Sequence, residues 1–135
     1  MFADGGFFAE LMMLNPPGHL DGRHGEWMTP PERFEELARG FWNAGLKIHV
    51  HVSGDLGVDL VLRTLERLQW ERPRFDHRFT FEHFGTSTPQ QVTRMAALGA
   101  IASCCMKLKS LEVARGKKSI EVQIVLRLYL ESGRS

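Results

Sequence analysis

Only two cysteines occur in the 135 residues, and they are neighbours, Cys104 and Cys105. Adjacent cysteines cannot close an ordinary structural disulfide loop and lack the spacing of a zinc knuckle, so both are expected to be reduced core or interface residues. A run of about eighteen apolar residues is missing. The amino terminus also lacks a basic region followed by an apolar one, so the sequence supports neither a membrane span nor a signal peptide. A cytoplasmic location is the default expectation. Charge of one sign is not in excess: 17 Lys and Arg against 16 Asp and Glu leave a net charge of +1, which gives no electrostatic case for nucleic acid or an anionic membrane. Small-molecule or protein partners are expected instead. There is no tandem repeat and no low-complexity tract. What remains, 43% hydrophobic and 24% charged residues, is an ordinary globular composition, long enough for one core and too short for two.

Residues 5 to 28 are rich in Gly, Pro and His and carry no sustained periodicity. Such long irregular segments usually cover or line a site. Phe7, Phe8, Met12, Met13 and Trp27 make this one apolar enough to fold back onto the domain, the alternative being a frayed amino-terminal arm. Thr29-Pro30-Pro31-Glu32 then reads as a capping box with proline at the first helical position. Phe34, Leu37, Ala38, Phe41 and Trp42 recur at helical spacing, and Gly45 supplies a left-handed stop. Residues 47 to 52 read as a buried strand. Ser53-Gly54-Asp55 is a tight turn whose serine or aspartate can cap a second helix, marked by Val58, Val61, Leu62, Leu65 and Leu68 and closed by Arg72-Pro73.

The same alternation continues. Residues 78 to 82 form the next strand candidate. Thr88-Pro89-Gln90-Gln91 repeats the capping box, Val92, Met95, Ala96 and Leu98 lead to a stop at Gly99, and residues 100 to 103 form a short strand. Strands alternating with helices at this spacing make parallel βαβ units with right-handed crossovers, hence an α/β fold. From Cys104 onward the pattern changes. Lys107, Lys109, Arg115, Lys117 and Lys118 read as a solvated connection, and Ile120, Val122, Ile124, Leu126, Leu128 and Leu130 alternate as in a long amphipathic strand, with a helix as the alternative.

Histidine carries the candidate chemistry. His49 and His51 are two apart on one strand, so they share a face with Cα atoms roughly 6.5 Å apart, within reach of a metal or a bound substrate. A histidine in an apolar strand is commonly a satisfied core residue, and that reading is preferred for His49. His51 differs because a turn follows it at once, which places the ring at the carboxyl end of the strand, where α/β barrels hold their sites. His83 likewise ends its strand, after Glu82 and before the turn residues Gly85-Thr86-Ser87. Two histidines on neighbouring strand ends make half of a zinc or other divalent site. His19, His24 and His77 are expected on the surface. Asp55 is assigned to capping rather than to proton transfer because it opens the second helix.

Four stretches, Phe2-Ala-Asp-Gly5, Gly45-Leu-Lys-Ile-His-Val-His-Val-Ser-Gly-Asp55, His77-Arg-Phe-Thr-Phe-Glu-His83 and Arg94-Met-Ala-Ala-Leu-Gly-Ala-Ile-Ala-Ser103, resemble in order and spacing the metal-dependent amidohydrolases of the YtcJ-like, amidohydrolase-3 type. The resemblance covers residues 1 to 103 and leaves 104 to 135 as an unassigned tail. It implies a (β/α)8 TIM barrel carrying one or two divalent metals, usually zinc, that activate water to hydrolyse amide-like, non-peptide carbon-nitrogen bonds of a small molecule. By position, His51 and His83 resemble the metal ligands ending the fifth and sixth barrel strands, with His49 a further metal or substrate contact. Phe7, His24 and Trp27 in the leading loop are candidates for substrate binding. The resemblance supplies no catalytic acid or base in this chain.

The departures define the remaining expectations. Met1 stands just after the position of the family's bridging lysine, the first-strand His-x-His pair has no counterpart, and Ser103-Cys-Cys-Met replaces the family's Ser-x-Gln-Pro. A closed barrel needs about 250 residues, so the chain is expected to be a partial barrel, about strands four to seven with their helices, incomplete as an isolated enzyme. Its open edges would invite another copy or the missing barrel half. The competing expectations are a non-catalytic, self-associating α/β remnant and a simple histidine metal-binding module.

Overall fold

The computed structural model describes residues 1–103; the cysteine pair, the basic cluster and the alternating stretch from 120 to 130 lie outside the described residues. After a short 3-10 turn, Phe7–Ala9, come α1 (Pro31–Asn43), β1 (His49–Val52), α2 (Asp55–Glu71), β2 (Thr80–His83), α3 (Pro89–Ala97) and β3 (Ile101–Ser103). The strands pair in parallel in the order β1-β2-β3, with His51 opposite Glu82 and Glu82 opposite Ser103. The fold is therefore mixed α/β with strand and helix alternating, as the spacing of apolar residues implies. No described helix is long and apolar enough to cross a membrane.

Helix stops follow the glycines. Gly45, at φ 77°, donates its N–H to Trp42 O while Leu46 N–H reaches Phe41 O, the paired bonds of a left-handed helix end. Gly99, at φ 66°, repeats the arrangement with Ala96 O and Ala100 N–H on Met95 O. Helix starts divide. Thr88 forms the expected reciprocal box with Gln91 at the head of α3. The expected box at Thr29 does not form: Pro30 is the cap residue, at φ −53° and ψ 143°, and no side chain bonds the first turn. The cause is local, because a residue preceding proline is pushed out of helical geometry. Pro31 thus moves the boundary one residue along and leaves Thr29 outside it.

All three expected strands begin one or two residues later than their sequence implies, and only β2 also ends later, at His83. Arg78 has φ 48°, which an extended strand cannot include, so β2 begins at Thr80. β1 begins at His49, and His49 is exposed, so the expectation of a wholly buried strand holds only for alternate residues. Val50, Val52 and Phe81 are fully buried, and α2 packs against β1 between α1 and α3. Val58, Val61, Leu62, Leu65 and Leu68 of α2 are all buried, as their helical spacing requires. On the other face of the sheet His49 and Ile101 are exposed, and His51, Glu82 and Ser103 are half-buried. That face carries the chemistry.

The leading segment folds back instead of fraying. Met12 and Met13 are buried, and bonds such as Gly5 N–H to Leu11 O, Leu14 N–H to His24 O and Met28 N–H to Ala3 O close it on itself. It docks where β1 hands over to α2. Met13 O accepts Leu56 N–H at 3.0 Å, and the Asn15 backbone N–H donates to Asp55 Oδ1 at 3.0 Å. The first helical N–H groups of α2, which have no partner inside the helix, are in this way satisfied by the loop. The approach is close enough that a Cβ on Gly54 would run into the Met13 carbonyl.

Candidate metal centre

Parallel pairing brings the ends of β1 and β2 level, with Val52 opposite His83. The His51 ring lies between two others: its centroid is 4.6 Å from that of His83, edge to face, and 5.3 Å from that of Phe2. His51 Nδ1 is buried and has no hydrogen-bond partner among the described residues. Such a group costs free energy wherever neither water nor protein pairs with it. His83 reaches this position through its backbone. Regular alternation would turn it to the face of Phe81, but its φ of 71° breaks the alternation, and Phe84, at φ 46°, takes the buried place in contact with Phe81. Non-glycine residues in that region are held there only by surrounding structure, and they gather at functional sites.

Beside the pair lies a second polar group. His49 Nδ1 donates to Glu82 Oε1 at 2.7 Å, and the side chains are 58% and 29% exposed. The Ser103 hydroxyl and then the His49 ring hold the Glu82 carboxyl below the usual carboxylate range, so it stays ionised. His49 is thus not the satisfied core residue preferred on sequence grounds; it faces outward on the open side of the sheet, bound to a carboxylate from the next strand.

The four quoted stretches and this geometry agree with a match to a family model, described as amidohydrolase family, over residues 1–124. The chain belongs to the amidohydrolase family. The family match runs past Ser103 into the tail. Two solved structures share the fold of this amidohydrolase-family chain. An uncharacterized metal-dependent hydrolase from Pyrococcus furiosus is 24% identical with a TM-score of 0.61, over 76% of this chain and 21% of that one. Another from Pyrococcus horikoshii OT3 is 22% identical with a TM-score of 0.65, over 76% and 20%. This chain spans about a fifth of the length of either. No curated protein matches it.

The residues present fit a metal in part. A buried, unpartnered imidazole nitrogen beside a second imidazole is a donor pair, but among the described residues no three His, Cys, Asp or Glu side chains come together to hold an ion. His51 and His83 are brought together; His49 turns to Glu82 instead. Phe7 is partly exposed with its ring edge-on to Phe8, His24 is exposed with Nδ1 on Leu14 O, and Trp27 is half-buried and bridged to Asp4. His19 is half-buried and bonds Met12 O.

A further expectation is overturned. His77 is not a surface residue: it is 2% exposed, donates through Nε2 to Leu98 O at 2.9 Å, and accepts Phe79 N–H on Nδ1. It pins the end of α3 to the approach to β2, a role set by a carbonyl twenty-one positions away. Asp55 opens α2 and accepts Leu56 N–H, although Gly54 occupies the cap position. Two groups near the histidines lie in the stretches that carry the resemblance, yet their sequence context assigns them no role. Ser103 is found only through the register of β2 with β3. Asp4 is fully buried beneath the turn after β1; burial pushes its carboxyl above the usual range, against the pull of its N–H donors.

Proposed function

We propose that residues 1–103 form one side of a (β/α)8 barrel in a metal-dependent hydrolase, and that His51 and His83 bind its divalent cation. The observation that carries this reading is the buried, unpartnered Nδ1 of His51 beside the His83 ring, at the carboxyl ends of adjacent parallel strands. Strand order supports the barrel. The Phe2 bridge to His51, then β1, β2 and β3, follow one another in sequence and all run parallel. A doubly wound sheet would instead reverse its order at a switch point. The metal dependence of the two structural neighbours supports a divalent ion, and imidazole donors suit zinc.

A cation bound there lowers the pKa of a water molecule and polarises a carbonyl, the chemistry that hydrolyses an amide-like, non-peptide carbon-nitrogen bond in a small molecule. The residues of this chain prepare that chemistry. His51 offers a buried nitrogen with no protein partner among the described residues, so binding costs it no hydrogen bond within the chain. Ionised Glu82 adds negative charge on the same face, while its bond to His49 leaves His49 Nε2 directed away from the carboxylate. Phe7, His24 and Trp27 of the leading loop contact substrate. The remaining ligands come from beyond the described residues, from the rest of a longer barrel or from a second copy, and the isolated chain does not turn over substrate.

Bound zinc decides the reading. Elemental mass spectrometry on protein purified without chelator and incubated with zinc should find near-stoichiometric metal, lost in His51→Ala and in His83→Ala. Background zinc in all three overturns it. A self-associating, non-catalytic α/β module is the second reading, favoured by Phe2 and Ile101, which stand 59% and 40% exposed on the histidine-bearing side of the sheet. Light scattering that finds a monomer at high concentration removes it.

A further inference from the structure

Asp4 is the only fully buried carboxylate among the described residues, and none of its bonds is to a side chain. Oδ1 accepts Ser53 N–H, and Oδ2 accepts both Met13 N–H and Gly54 N–H, each at 2.8 Å. The donors belong to two stretches far apart in sequence: Met13 in the leading loop, Ser53 and Gly54 in the turn between His51 and α2. The residues just before Asp4 grip the histidine itself. Met1 O accepts His51 N–H at 2.8 Å, and Ala3 N–H donates to His51 O at 2.9 Å. His51 is therefore held through its backbone on one side and through the following turn on the other.

We propose that Asp4 is a positioning residue for His51: its carboxylate fixes the leading loop, the end of β1 and the start of α2 in one register, so that the metal-binding imidazole and the loop beside it are held as a unit. The proposal rests on the metal-centre reading for its purpose and on these hydrogen bonds for its mechanism. An amide cannot replace the carboxylate, because asparagine has one acceptor oxygen and its NH2 would face an N–H donor. Space around the group is equally restricted. A Cβ on Gly57 would lie 2.8 Å from Asp4 Oδ2 and 3.1 Å from Val52 Cγ2, so a single methyl group displaces the carboxylate. Gly57→Ala is a useful second variant because alanine is the better helix former, so any loosening it causes comes from crowding, first of Asp4 and then of Val52.

The test compares the full chain with Asp4→Asn, Gly57→Ala, His51→Ala and the core control Val61→Ala. Two signals are read: amide hydrogen exchange across residues 5–28 and at residues 53 and 54 without metal, and Co2+ binding followed by its visible absorption. Asp4→Asn and Gly57→Ala are expected to raise exchange in those residues by about tenfold, with α1 unchanged. Both are expected to weaken Co2+ binding by about 10- to 100-fold and to shift its absorption bands. Val61→Ala should lower the melting temperature without either change. Co2+ binding that is lost in His51→Ala but kept at wild-type strength in Asp4→Asn and Gly57→Ala overturns the proposal alone. A wild-type chain that binds no Co2+ overturns the metal-centre reading and the proposal with it.

Discussion

Two polar clusters sit within a few residues of each other at the end of β1, and they are built on opposite terms. Around Asp4 every oxygen is paired, three N–H groups converge on one carboxylate, and the group is sealed from solvent. Around His51 a buried nitrogen has no partner, and the neighbouring His83 is held at φ 71°. The chain itself satisfies every acceptor of the first arrangement and leaves the second open. A satisfied buried network is explained by folding alone, whereas an unpaired buried atom beside a left-handed residue is the pattern that gathers at functional sites.

Removing each cluster separates them most widely. Asp4→Ala strands three buried donors and should cost about 3–4 kcal/mol in urea unfolding, while His51→Ala should stay within about 1 kcal/mol of wild type because the loss of packing is offset by removal of the unpaired nitrogen. Equal losses would erase the distinction. A smaller effect of opposite sign is expected at His83. His83→Gly relieves the left-handed backbone and should raise stability by about 0.5–1 kcal/mol, after allowing for the flexibility glycine gives the unfolded chain. The same variant should lose its zinc, so that stability and binding move apart.

The smallest effect concerns pH. Glu82 has its folded pKa lowered by Ser103 and His49, so the unfolded chain takes up the proton first; its contribution is present above the unfolded carboxylate pKa and is lost as pH falls through the folded value. Asp4 is raised by burial, so its contribution runs the other way, present at low pH and lost as pH rises through the folded value. Urea midpoints of wild type and Glu82→Gln, measured from neutral pH to about pH 3, should converge on acidification. Midpoints that diverge would show that Glu82 is not held by its neighbours.

What the sequence discloses in advance is whatever depends on near neighbours. The glycine stops after α1 and α3, the box at Thr88, the apolar face of α2 and the placing of His51 and His83 at strand ends all follow from residues within one helical turn or one strand. The family resemblance is legible for the same reason, as it rests on four short stretches. Contacts across long separations are hidden. Asp4 takes donors nine, forty-nine and fifty positions away, and His77 reads as a surface residue until Leu98 O is brought to it. Arg74, which stacks 4.6 Å from the Trp42 ring and donates to the carbonyls of Gly45 and Leu46, is equally silent in the sequence. At Thr29 the local rule itself failed, because two prolines in a row changed which residue could act as the cap.

The leading loop is fastened mainly by main-chain atoms at Met13 and by Asp4, while side chains such as Phe8 and Leu20 project into solvent. Its attachment is thus largely indifferent to the identity of the residues strung between the fastenings. Loops of that kind can diverge, lengthen or be exchanged among relatives while the strand ends beneath them stay put. For a designer, residues 6–10 and 19–24 are the natural positions to randomise when a new small molecule is to be accommodated, with Asp4, Met13, Gly18, Gly22, Gly54 and Gly57 left alone.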